Sequence, residues 1–331
     1  MIRIARLRAT APGPLPPGSA RAGRSSRRRP ARTATAALAL LVAVAGRAAA
    51  QSVPSAPGDA PADAARAAIE EGDRSWSARA EGSRGGTALA GPVGAAIGAY
   101  RRAASLAPES IEARWRLMRA LYFEGEHVAT DVAAKRDVFD AGKKVGEEAL
   151  AIVRRQAGAS AGRSLEKASP VELVPFVKGR RDVTAAFLWA AVDWGKWAIV
   201  FGKTAAVKQG AAAKIRDYCE AVIALDPGFE DAGGYRVLGR LHHQTPAVPF
   251  FTGWASREKA LANLRLAVKG AGANFVNRLY LAEAMWDYEK GSRPQARATL
   301  EALVAQTPST EWKVEDARAQ EDARALLAAW R

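Results

Sequence analysis

From residue 62 onward, apolar side chains recur three and four positions apart, the spacing that lines one face of an α-helix. No run alternates in the manner of a half-buried strand. The pattern is clearest over residues 277–308. Tyr280, Ala284 and Tyr288 lie four apart on one face, Gly291 interrupts them, Ala296, Leu300 and Leu303 mark a second helix, and Pro308 ends it. Small residues at 284 and 296 let two paired helices approach closely. Tyr280 and Leu300 fill the space beside them, and a proline after the second helix stops it.

Parts of the same unit recur upstream. Ala96, Tyr100, Ala103 and Pro108 read as a second helix, and Ala113, Leu117, Leu121, Tyr122 and Gly125 as the first helix of the next pair. Ile215, Cys219, Val222, Leu225 and Pro227 close a unit. Tyr235, Leu238 and Gly239 open another, which Ala260, Leu264 and Ala267 close. These are tetratricopeptide (TPR) positions, and the spacing predicts an all-α, irregular TPR-like helix-pair solenoid over residues 62–331. The irregularity is an insert at 244–254, rich in proline and aromatics, between the two helices of one pair. Residues 156–170, rich in Gly, Ala and Ser, read as a second loop. Residues 315–330 form a C-terminal capping helix, which such a stack needs to cover its last apolar face.

The first 50 residues differ. The chain carries a formal charge of +15, and subtracting the ten arginines of residues 1–50, which contain no acid, leaves +5 for the remainder. That remainder has basic and acidic side chains interleaved, so the apparent nucleic-acid signal disappears. Arg27–Arg32, the apolar run 35–46 and Ala48-Ala49-Ala50 have the order of a secretory signal peptide. The run is too short to span a bilayer. The sequence therefore predicts a signal peptide over 1–50, cleavage after Ala50, a Pro/Ala/Ser linker over 51–61, and a periplasmic location.

Chemistry is sparse. Cys219 is the single cysteine, so no intrachain disulfide forms, and an apolar helical setting makes it a small core residue. His127, His242 and His243 offer no metal-ligand spacing, since adjacent helical histidines point about 100° apart. The letters G-x-S-x-G at 158–162 place Ser160 in a loop rather than on a strand-to-helix elbow. Gly202-Lys203-Thr204 lacks the earlier glycine of a phosphate loop, Trp197 standing there instead. The expectation is a binding protein, not an enzyme, with no cofactor and no metal.

Aromatics concentrate between 187 and 254, and Phe187, Trp194 and Phe201 recur every seven residues. Two readings stand side by side: packing between helix pairs, or a groove for a ligand or partner. The groove residues are then Trp189, Trp194, Trp197, Phe201, His242, Phe250, Phe251 and Trp254.

Residues 182–282 carry a resemblance. They run from the tryptophan-rich helix (Leu188-Trp189-Ala190-Ala191 to Gly195-Lys196-Trp197) through Ala224-Leu225-Asp226-Pro227 and Tyr235-Arg236-Val237-Leu238-Gly239 to the aromatic insert before Glu258-Lys259-Ala260. In this order the chain resembles the T-component family of tripartite ATP-independent periplasmic (TRAP) transporters, proteins of degenerate TPR helix pairs. The resemblance implies a periplasmic solute-binding protein as partner, a hydrophobic or organic-acid ligand, and association into homo-oligomers. The chain departs from that family in lacking a lipoprotein cysteine near the cleavage site and in carrying Phe250-Phe251-Thr252-Gly253-Trp254 within the insert. The alternative is a general envelope TPR scaffold that holds peptides or proteins and has no link to transport.

Overall fold

The computed structural model describes residues 60–245 and 253–330. The signal peptide, its cleavage site, most of the linker, and Phe250 and Phe251 lie outside the described residues. The described chain forms thirteen α-helices: α1 Ala60–Ser77, α2 Ala90–Leu106, α3 Ile111–Phe123, α4 Val132–Ala161, α5 Pro170–Leu173, α6 Arg181–Phe201, α7 Lys203–Lys208, α8 Ala211–Leu225, α9 Phe229–Gln244, α10 Arg257–Gly270, α11 Phe275–Tyr288, α12 Arg293–Ala305 and α13 Lys313–Ala329. No strand forms among them; Arg84 and Thr87 make one isolated bridge. No described helix is long and apolar enough to cross a membrane.

Local sequence accounts for the helix starts. Ser110, Asp131, Ser256 and Asn274 each accept a hydrogen bond from the backbone N–H three residues on. Ser169 and Glu172 form a reciprocal capping box. Consecutive helices pack as neighbours: α1 on α2, α3 on α4, α9 on α10, and α11 on α12. The small and bulky TPR positions are where the spacing predicts them, with Ala96, Tyr100, Ala284, Ala296, Leu300 and Leu303 fully buried. The fold is the expected all-α stack of helix pairs.

Two expectations are corrected in detail and a third is extended. The linker gives up its last two residues, since α1 begins at Ala60. The loop expected over 156–170 is shorter: α4 runs through Ala161, and Gly162, in the left-handed conformation at φ 63°, ends it. Alanine favours helix, so a Gly/Ala/Ser stretch continues an existing helix unless something stops it. Finally, α13 does more than cap. Gln320 donates to the carbonyls of Leu303, Val304 and Gln306, satisfying the open end of α12, and Trp330 stacks flat on Trp286 at 4.2 Å. At its other end, Val314 packs into the N-terminal apolar cluster with Trp76, Val93 and Phe123. The two described ends of the chain therefore meet.

The junction between α8 and α9 is unusual. Glu230, Asp231 and Ala232 all adopt left-handed backbone, with φ of 48°, 57° and 59°. Such a run costs roughly 1–2 kcal/mol per residue for L-amino acids. Side chains hold it: Arg236 donates to the carbonyls of Glu230 and Asp231. Fully buried Asn277 donates to the Asp231 carbonyl as well as to those of Ala267 and Ala271.

Candidate functional site

The aromatic helix α6 is the spine of the largest apolar cluster, packed by α4 on one side and α8 on another. Trp194 is fully buried, with Trp189 and Trp197 nearly so. Trp194 meets Trp197 edge-on at 5.4 Å, and Trp197 stacks on half-buried Phe201 at 4.7 Å. Trp197 Nε1 donates to Asp140 at 3.0 Å. The Lys214 and Lys143 ammonium groups lie 4.1 and 4.8 Å from the Trp194 ring. A separate group forms at the end of α9. His242 is buried, meets half-buried Trp254 edge-on at 5.2 Å, and accepts from the Ser256 amide; burial lowers its pKa to about 4. Thus α6 brings Trp194, Trp197 and Phe201 together, Trp189 lies apart from them against Tyr122 at 5.6 Å, and His242 with Trp254 makes a second cluster.

One buried group in the α6 core stands apart. Asp193 is fully buried, and neither carboxylate oxygen has a partner among the described residues. It presses against Gly142 of α4, where an added Cβ would lie 2.6 Å from Oδ2. Burial pushes its pKa well above the ordinary carboxylate range, so the group is held as a neutral acid.

The polar chemistry gathers where the two ends of the chain meet, in a cleft of about 50 Å³. Its lining comes from α3, α6, α11, α13 and a π-helical turn, Glu124–Val128, that continues α3. The turn closes with the Ala129 amide on the Glu124 carbonyl at 2.8 Å. Gly125 permits it, because a Cβ there would lie 2.5 Å from the Phe139 ring. Such turns occur frequently at functional sites, since the extra residue re-aims the side chains around it.

Here the turn supplies Glu126 and His127. Glu126 pairs with the Lys196 ammonium of α6. Burial opposes the charge on both, but their mutual attraction wins, holding Glu126 at about 2 and Lys196 above its ordinary range. The Lys196 ammonium also lies 5.6 Å from the Tyr122 ring. His127 is 3% exposed, and its Nδ1 lies 3.1 Å from the Gly86 carbonyl. A carbonyl only accepts, so Nδ1 carries the proton and Nε2 is a bare acceptor, with no partner among the described residues. Burial lowers the His127 pKa to about 4, so the ring is neutral near pH 7.

From α13 come Glu315, Arg318 and Asp322. Glu315 Oε1 accepts from Arg79 at 3.3 Å, while buried Oε2 has no partner. Arg318 donates to the Glu126 carbonyl at 3.1 Å and to Glu321 at 3.4 Å, leaving Nε unpaired. Asp322 is exposed by area, yet the surrounding protein raises its pKa by desolvation. Opposite them stands Tyr280 of α11.

The seam that shuts this cleft is mostly polar. Arg79 lies over Trp76 at 4.6 Å and beside Trp312 at 5.6 Å, pairs with Glu315 and donates to the Glu311 carbonyl. The Gly86 amide donates to Glu321 at 2.9 Å.

None of the cleft residues is among the groove residues expected from the sequence: Tyr122 and Tyr280 appear there only as repeat positions, His127 only as a histidine without metal-ligand spacing, and Lys196 only within the resemblance. They come from segments up to 200 positions apart, and each taken alone reads as an ordinary helix-face residue.

The fold and the cleft together define an all-α, helix-pair repeat protein whose ends converge on a charged cleft. No protein-family model matches the chain, and no curated protein matches it in sequence.

Proposed function

We propose that this chain is an exported TPR-like protein that works by binding, and that its partner is a periplasmic solute-binding protein of a TRAP-type transport system, the chain taking the place of the T-component. The observation that supports binding is the convergence of helix pairs on a cleft with unsatisfied polar atoms, next to an aromatic spine that holds its walls. Helix-pair stacks present extended surfaces for clients. Ser160 and Cys219 favour the same reading. The Ser160 hydroxyl is donated to the Gln156 carbonyl at the end of α4. Cys219 is fully buried, and burial pushes its thiol pKa up, away from reactivity. The transport assignment rests on the order of motifs between residues 182 and 282.

The test is affinity capture of residues 51–331 from the periplasm of the host, read by mass spectrometry. Recovery of a solute-binding protein supports the transport reading. Recovery of unrelated envelope proteins overturns it in favour of a general scaffold.

A further inference from the structure

We propose that the cleft between the π-helical turn, α6, α11 and α13 binds the ammonium end of a small organic amine. The argument starts from its inventory of donors and acceptors. Among the cleft's buried atoms, two acceptors lack partners within the described residues, His127 Nε2 and Glu315 Oε2. Of the cleft's buried donors, Arg318 Nε alone lacks a partner. A ligand that completes such a set brings donors, and an ammonium brings three.

Charge points the same way. Glu126, Glu315 and Asp322 face Lys196 and Arg318, which leaves one negative charge uncompensated. Counting Arg79 and Glu321, which pair with Glu315 and Arg318, leaves the same surplus. Tyr122 and Tyr280 line the cleft, and each ring already holds a cation, the Lys196 ammonium at 5.6 Å and the Arg240 guanidinium at 4.3 Å, as ring faces do. Lys196 already demonstrates the recognition, its ammonium held by a carboxylate and a tyrosine ring. No cluster of His, Cys, Asp and Glu suited to a metal ion occurs among the described residues, which favours an organic cation over a divalent metal. A volume near 50 Å³ admits an ammonium with one or two carbons, since by the same measure one water needs about 10–15 Å³. Any longer chain would extend into solvent past Asp322.

This inference does not depend on the transport reading. A solute-binding protein can be captured while amines fail to bind, and the reverse.

The test is titration calorimetry of the full chain with ethylammonium chloride, against sodium acetate and sodium chloride at equal ionic strength. The expected result is saturable binding in the millimolar range, near the ceiling for about three heavy atoms. Asp322→Asn, at an exposed position, is expected to weaken it by about fivefold or more without changing the melting temperature. Tyr280→Leu weakens it by a smaller factor through loss of the ring face. Absence of saturation at about 100 mM, a concentration far above any useful affinity, overturns the proposal. So does equal or tighter binding of acetate, or an affinity indifferent to both substitutions.

Discussion

Two buried regions share α6 and solve the same physical problem in opposite ways. On its face toward α4 and α8, the helix packs Phe187 and Trp194 into the apolar cluster with Cys219, and the buried carboxyl of Asp193 has no partner. Along its face toward the cleft, Lys196, three residues on, is paired, and the groups around it are charged. Where no counter-charge is in reach, the group gives up its charge; where one is, both charges persist. The first solution makes a rigid, dry interior. The second leaves lone pairs and N–H groups that solvent or a ligand must satisfy. The spine therefore reads as support, and the cleft as the site proposed for binding.

The largest expected effect tests the support side. Trp194→Ala removes a fully buried ring beneath two ammonium groups. It should destabilise the fold by about 3–5 kcal/mol, measured by urea denaturation. Unchanged stability with altered binding would instead move Trp194 to the functional side.

Next is the ion pair. Glu126→Gln leaves Lys196 charged with no carboxylate partner. Each side chain of the pair is about one fifth exposed, 23% and 21%. Solvent screening therefore reduces the loss from that of a fully buried pair to about 2–3 kcal/mol. Adding Lys196→Met should recover most of it, and failure to recover would mean that Lys196 is held by more than Glu126. Because Glu126 is held at about 2, its contribution is present above the ordinary carboxylate range and is lost as pH falls toward that value.

Asp193 gives the opposite sign. Its pKa is raised in the fold, so the folded chain holds a proton that the unfolded chain releases above about pH 4. Its contribution is whole below that pH and declines as pH rises, by about 1.4 kcal/mol per unit until the buried carboxyl itself ionises. Asp193→Asn should remove one proton's worth of this slope. At neutral pH the variant should equal or exceed the native chain by about 1–3 kcal/mol. Denaturation at pH 4.5 and 7.5 checks it, and parallel slopes for the two proteins would refute the assignment.

The two regions also differ in how legible they are. The spine was open to the sequence because its signal is local: Phe187, Trp194 and Phe201 mark one helix, and Ala284, Ala296 and Leu300 mark a pair. Whether the tryptophans pack or line a groove depends on what lies opposite, and that is set by α4 and α8. The cleft was closed to the sequence because Tyr122, Lys196, Tyr280 and Asp322 belong to four helices brought together only when the ends of the chain meet. The left-handed run at Glu230–Ala232 was hidden for a different reason. It contains no glycine to announce it and is imposed from a distance by Asn277 and Arg236.

The smallest effect concerns the seam itself. Glu321 accepts from the Gly86 amide and pairs with Arg318, but it is 42% exposed. An exposed pair contributes about 0–1 kcal/mol, so Glu321→Ala, which removes the acceptor altogether, should move the melting temperature by no more than a few degrees, about the range for such a loss. Its effect should be local. If the polar contacts of Gly86, Glu321 and Arg318 hold the seam, the Gly86 amide should exchange with solvent about tenfold faster in the variant, while amides of α6 stay unchanged. Unchanged exchange at Gly86 would mean that Val314 and the stacked Arg79 close the seam without them. The cleft would then be as rigid as the spine, and its unsatisfied atoms would be reached only through the open side at Asp322.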